Sequence, residues 1–139
     1  MKATYYGHGC FGLEIGNLKF LIDPFISGNE LAKSIQIDTI EADYILLTHG
    51  HEDHVADAEE IYKNTQATLV SNFEVANWFE KKGVSGTIGM NIGGALQLEG
   101  CAIKMVSALH SSSMPDGRYG GLAAGFIFVF PFGISEFLS

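Results

Sequence analysis

"LLTHGHEDHV", residues 46–55, packs three of the chain's five histidines and two acidic residues behind a short apolar run. The apolar run belongs to "DYILLTH" (43–49), the pattern of a strand buried on both faces. Downstream, "VADAEEIYKNT" (55–65) places apolar residues at helical spacing, with acidic residues near its start that suit the helix dipole. The cluster therefore sits where a buried strand hands over to a helix. His49 and His51 are two apart, so in an extended segment they point to the same side. Asp53 and His54 follow where the helix begins. One short turn can thus present three neutral imidazoles and a carboxylate to a common cavity. Such borderline donors suit zinc, and also manganese or iron. The bland alternative is a solvated or N-capping loop. Asp53 alone would be an ordinary N-cap, but the full cluster in this setting favours a metal site with one or two ions.

Working outward, "ATYYG" (3–7), "CFGLEIG" (10–16) and "KFLID" (19–23) predict three short strands, with "GNLK" (16–19) as a hairpin turn. Pro24 stops the third strand, because proline cannot donate to a ladder. Residues 26–42 predict a loop with a helical turn. "ATLVS" (67–71) predicts a strand, and "NFEVANWFEKKG" (72–83) an amphipathic helix capped by Asn72 and stopped by Gly83. Strands follow near 86–89, 95–98, 101–109 and 122–130, with a polar loop over 110–121. Hairpin strands, then β-α-β-α, then further hairpins make an α/β or α+β sandwich with a mixed sheet.

The bulk numbers set limits. The 139 residues fit one domain, and 47% hydrophobic content with 17% charged residues supports a real core. A net charge of −8 argues against a nucleic-acid surface, which needs a basic stripe. Two cysteines, Cys10 and Cys101, lie in strand-like stretches and predict buried free thiols. The N-terminus shows no continuous apolar segment of signal-peptide type, and "LAAGFIFVFPFGI" (122–134) is too short to span a bilayer and is interrupted by Pro131. A cytoplasmic protein without a membrane anchor is expected.

"THGHEDH" (48–54) resembles the His-x-His-x-Asp-His signature of the metallo-β-lactamase fold superfamily, and "GHGCFGLEIGNLKFLIDPF" (7–25) resembles its opening hairpins. The run from Gly7 to Phe25 is similar to the branch of metal-dependent hydrolases akin to ascorbate-6-phosphate lactonase. The resemblance covers residues 1 to about 126. It implies an αββα sandwich and usually two metals. By position, His49 and His51 would ligate the first metal, and Asp53 and His54 the second. A third histidine for the first metal is needed one or two strands later, and His110 fits at the end of a strand. His8, between Gly7 and Gly9, is either a turn residue or, as the resemblance implies, borders the active site. With Asp53 it completes the candidate catalytic pair. Asp23 either orients a ligand histidine, the usual role of a carboxylate behind a metal site, or simply ends its strand. Ser111, Ser112 and Ser113 could line the pocket.

The implied chemistry is hydrolysis by a metal-activated hydroxide of a lactone, ester, amide or phosphodiester, with a small and possibly anionic substrate. Asp53 would orient the hydroxide and carry a proton. The family pattern continues with a Gly-Asp-Thr-like stretch and a final histidine. No histidine follows His110, and the later carboxylates Asp116 and Glu136 lie in a different context. The sequence therefore predicts the N-terminal half of a sandwich plus one or two strands, either truncated or frameshifted at "FPFGISEFLS" (130–139), or a short form completed by a second chain. An uncovered sheet edge would then favour a homo-oligomer. The competing function is a catalytically incomplete chain that binds one metal or a protein partner without turnover. A redox or sulfur-transfer role would need further iron or flavin ligands, and no second ligand cluster is visible.

Overall fold

The computed structural model describes residues 1–131 and the backbone of residues 135–138. The first sheet has six strands in sequence order: β1 (Lys2–Gly7), β2 (Cys10–Ile15), β3 (Leu18–Ile22), β4 (Tyr44–Leu46), β5 (Thr68–Asn72) and β6 (Thr87–Met90). β1 to β3 are antiparallel hairpin strands, and β3 to β6 run parallel. The change of pattern follows the connections. Gly16 and Asn17 alone join Ile15 to Leu18, with Gly16 at φ 60°, so β2 and β3 must be antiparallel. From β4 onward helices intervene, and crossover connections give parallel strands. The second sheet is antiparallel, in the order β10 (Ser135–Leu138), β9 (Ala124–Val129), β8 (Cys101–Ser107), β7 (Ala95–Leu98).

Two cores flank the first sheet, and strand alternation divides the side chains between them. Leu21, Ile45, Leu47 and Leu69 pack with Val55, Ile61, Val75 and Phe79 of the helices. Their neighbours Phe20, Ile22, Leu46 and Val70 pack with Ile103, Met105, Phe126 and Phe128 of the second sheet. This is why 43–49 is apolar without interruption: the central strands have no wet face. The layers are thus helix, sheet, sheet. Among the described residues no helix covers the outer face of the second sheet.

The predicted helix over 55–65 is two helices, α1 (Glu52–Val55) and α2 (Ala58–Thr65). The break falls at Ala56 and Asp57. Asp57 is buried and turned into the protein, where it accepts the Ile26 amide at 2.5 Å, the Ser27 amide at 2.9 Å and the Ser27 hydroxyl. The Asp57 amide also donates to the Pro24 carbonyl at 3.1 Å instead of to a carbonyl one turn back, which interrupts the helical ladder there. The helix predicted over 72–83 is α3 (Phe73–Lys81), capped by Asn72, whose Oδ1 accepts the Val75 amide at 2.9 Å. The loop at 26–42 contains two 3-10 turns, at Glu30–Ala32 and Ile37–Thr39. The strands predicted over 101–109 and 122–130 are shorter than expected, ending at Ser107 and starting at Ala124. Both cysteines are buried free thiols, one in each core. The sequence reading of the tail over 130–139 lies partly outside the described residues. No helix among the described residues is long and apolar enough to cross a membrane.

Candidate metal centre

The cluster forms where the two sheets meet. Beyond β4, the Leu47 amide still bonds to the Val70 carbonyl at 2.9 Å, and the Thr48 carbonyl accepts the Ala124 amide of the second sheet at 2.9 Å. Ala108 donates to the Ala123 carbonyl at 3.1 Å, so the chain after β8 is brought over the end of β4. His110 therefore arrives beside His49, with ring centroids 4.7 Å apart. His51 caps the start of α1 in extended conformation and closes the triangle, 4.6 Å from the His49 ring and 5.1 Å from the His110 ring.

Glycines make two of these approaches possible. A Cβ on Gly50 would lie 2.5 Å from Met114 Sδ and 3.0 Å from the Ser113 carbonyl, so the loop after His110 could not dock against the His49–His51 turn. A Cβ on Gly9 would lie 2.9 Å from His54 Cε1. Ser112 acts as a strut: its hydroxyl accepts the Gly50 amide at 3.1 Å and donates to the Gly120 carbonyl at 2.7 Å. Ser111 Oγ lies 3.5 Å from His51 Nε2. The serines therefore shape the loop and are not among the residues lining the cavity.

Three donor sets result. One nitrogen each of His49, His51 and His110 fall within 4.8 Å of one another, and so do the donor atoms of His8, Asp53 and His54. Asp23, His49 and His54 form a third group, but Asp23 is otherwise engaged. Buried, at φ 46°, it accepts the Thr48 amide at 2.8 Å, the Thr48 hydroxyl at 2.6 Å and His54 Nδ1 at 2.9 Å. Thr48 Oγ1, having given its proton to Asp23, accepts from His49 Nδ1 at 2.9 Å. The Nδ1 atoms of both His49 and His54 are thereby fixed as donors, and each Nε2 is left bare. His49 Nε2 faces His51 Nδ1 at 3.0 Å. Imidazole nitrogens of three neighbouring rings within 4.8 Å of one another form a donor set that fits a divalent ion of zinc type. A cavity of about 440 Å³ opens beside them, with polar lining that includes His49, His54 and His110 and apolar lining that includes Phe11 and Ile22.

The chain matches the model of the beta-lactamase superfamily domain over residues 2–134. It belongs to that superfamily. The chain is 54% identical over 134 residues to a UPF0173 metal-dependent hydrolase of Methylacidiphilum infernorum, covering 96% of this chain and 59% of that protein. It is 52% identical to the corresponding protein of Christiangramia forsetii, covering 91% of this chain and 56% of the relative. The chain thus spans less than three-fifths of the length of these relatives. Among solved structures, the metallo hydrolase Igni18 of Ignicoccus hospitalis superposes with a TM-score of 0.79 at 35% identity, over 92% of this chain and 55% of that one. The metallo-beta-lactamase SMB-1 shares the fold at a TM-score of 0.62 and 18% identity, over 97% of this chain and 59% of that one.

In this beta-lactamase superfamily chain, the electrostatics treat the two supported imidazoles differently. Burial, reinforced by the neighbouring imidazoles, pushes His49 down to about 3, so it stays neutral. Burial alone would lower His54 too, but the hydrogen bond and charge of Asp23 outweigh it and hold His54 above its ordinary value. Asp53 is held below the usual carboxylate range: burial opposes this, but the hydrogen bond from His8 prevails with further help from the His54 ring. Sequence reasoning singled out each of the clustered histidines and Asp53. It missed Thr48, because a threonine at the end of an apolar strand carries no signal of its own.

Proposed function

We propose that this chain carries the metal-binding part of a hydrolase active site, in which His49, His51 and His110 hold one divalent ion and Asp53 and His54 face an adjacent position. The observation that carries this reading is the convergence of three imidazole nitrogens within 4.8 Å, with His49 and His110 lining a cavity. Three nitrogen ligands and one open position are the arrangement of a catalytic zinc. The bound ion would supply Lewis acidity and lower the pKa of a coordinated water. The protein's own groups do the rest. Thr48 and Asp23 hold His49 and His54 in the tautomer that faces the cavity. Asp53, ionised at neutral pH, accepts a proton from the attacking water and returns it to the leaving group. In the metal-free chain His8 Nε2 lies 2.8 Å from Asp53 Oδ2 and positions that carboxylate. Phe11, Ile22, Ala123 and Ala124 give the cavity apolar lining. The substrate is a small molecule with a lactone, ester, amide or phosphodiester bond. The names of the hydrolase relatives support the reaction class.

The test is metal content after purification without chelator, on the wild type and on His51→Ala, followed by hydrolysis of chromogenic esters, lactones, amides and phosphodiesters. Bound divalent metal that is lost in the variant, with turnover abolished by chelator and restored by zinc, is expected. A wild type that binds no metal overturns the reading. Metal binding without turnover on any of these bonds favours the non-catalytic alternative.

A further inference from the structure

We propose that His8 is itself a metal ligand, forming with Asp53 and His54 a second donor set of three residues beside the three-histidine site. The inference deepens the reading above and rests on its assignment of Asp53 and His54. His8 Nε2 lies 2.8 Å and His54 Nε2 3.8 Å from the same oxygen, Asp53 Oδ2, and the three donor atoms all fall within 4.8 Å. Ligand atoms arranged tetrahedrally around a zinc-sized ion at bonds of ~2.0–2.1 Å stand ~3.3–3.4 Å apart, so the observed separations bracket those of a bound site. His54 has its other nitrogen on Asp23, which turns Nε2 toward Asp53. Three residues from two distant parts of the chain therefore bring one donor atom each within 4.8 Å of one another.

The backbone supplies an independent observation. His8 adopts φ 53°, in the left-handed region, in a turn flanked by Gly7 and Gly9. Few residues other than glycine take that conformation, and histidine, like asparagine, is one that does. The surroundings hold it: the Tyr5 hydroxyl donates to the His8 carbonyl at 3.1 Å, and Phe25 meets the ring edge-on at 5.5 Å. The ring lies 5.3 Å from that of His54, and the His54 ring lies 4.1 Å from that of His49, so the two donor sets adjoin. A surface ion pair gains little from such positioning, because His8 and Asp53 are 44% and 48% exposed. A ligand, whose nitrogen must meet a fixed point, gains a great deal.

The experiment is a titration of the chelator-stripped full chain with cobalt, followed by visible absorption, and with zinc in competition with a chromophoric chelator. Wild type, His8→Gly, His8→Asn and His51→Ala are compared. Two ions are expected in the wild type. Both His8 variants should bind one ion as before and the other at least ~10-fold more weakly. His51→Ala should lose the complementary ion and keep the one held by His8. Both replacements at position 8 accept the left-handed backbone, so the metal-free melting curves should match that of the wild type. An unchanged second affinity in the His8 variants overturns the inference and leaves the proposed function standing. A single ion in the wild type, lost in His51→Ala, does the same. No bound ion at all overturns both.

Discussion

Thr48 governs which nitrogen His49 presents. Its hydroxyl can donate only once, and Asp23 Oδ2 at 2.6 Å takes that proton, so the lone pair left over accepts from His49 Nδ1 at 2.9 Å. The buried His49 pays for this fixed neutral state in acid. Its folded value of about 3 lies below the ordinary 6.5, so between these values the unfolded chain binds a proton that the folded chain does not. The contribution of His49 to the stability of the metal-free protein is therefore full above pH 6.5 and is lost as the pH falls toward 3. The slope is ~1.4 kcal/mol per pH unit for one such group. His54 is shifted the other way: its contribution is full below 6.5 and is lost as the pH rises through its raised folded value, so it lies outside the acid-side window of His49. Urea unfolding of the stripped chain across this range should show the acid-side decline, and His49→Gln should flatten it. A decline unchanged in the variant would assign it elsewhere. At this scale the sequence revealed the donors, since histidines at close spacing stand out against any polar loop. It concealed the supports, since Thr48, Ser112 and Gly50 act through contacts with residues 25 to 70 positions away or through one particular rotamer.

Among the elements, the junction between α1 and α2 carries the most unexpected chemistry. Helical periodicity over 55–65 is real, and Ile61 and Tyr62 are buried as it requires. Asp57 looked like one of several acids at a helix start, because nothing local distinguishes a carboxylate that faces water from one that faces the 26–27 backbone. Removing it in Asp57→Ala leaves the buried Ile26 amide without a partner and frees the Ser27 amide and hydroxyl. The expected cost is ~3 kcal/mol, read as a lower urea midpoint with an unchanged m-value. Asn72, by contrast, was legible as a cap from its place before an amphipathic run. Its second role was not: Nδ2 donates to the Gly120 carbonyl at 2.7 Å and the Leu122 carbonyl at 3.0 Å, anchoring the far end of the His110 loop to α3.

For the molecule as a whole, the order of strands and helices was readable because each core imposes its own period. Uninterrupted apolar runs marked the strands between two layers. The outer face of that sheet presents Ala102, Val106 and Ile127 half-buried and Val129 40% exposed, with Lys104 among them. We propose that copies of this chain associate through it, since apolar sheet faces of this kind are seldom left wet. Sedimentation velocity should show the average mass rising with protein concentration. Val129→Lys should suppress the rise while changing stability by less than ~1 kcal/mol. A monomer at all concentrations would show that this face needs no partner.

The parity of β4 has a consequence for how such a chain can change its length. Ile45 and Leu47 serve the helices and Leu46 serves the second sheet, while the ladder bonds at Leu46, Leu47 and Thr48 hold this register right up to the histidines. Adding or deleting one residue within 44–48 would exchange the two cores and turn the imidazoles away from the cavity. Growth and shrinkage are therefore confined to segments such as 28–39 and 115–118, which lie outside both ladders. The spacing between the buried strand and the first histidine is, in this sense, an integer set by the sandwich.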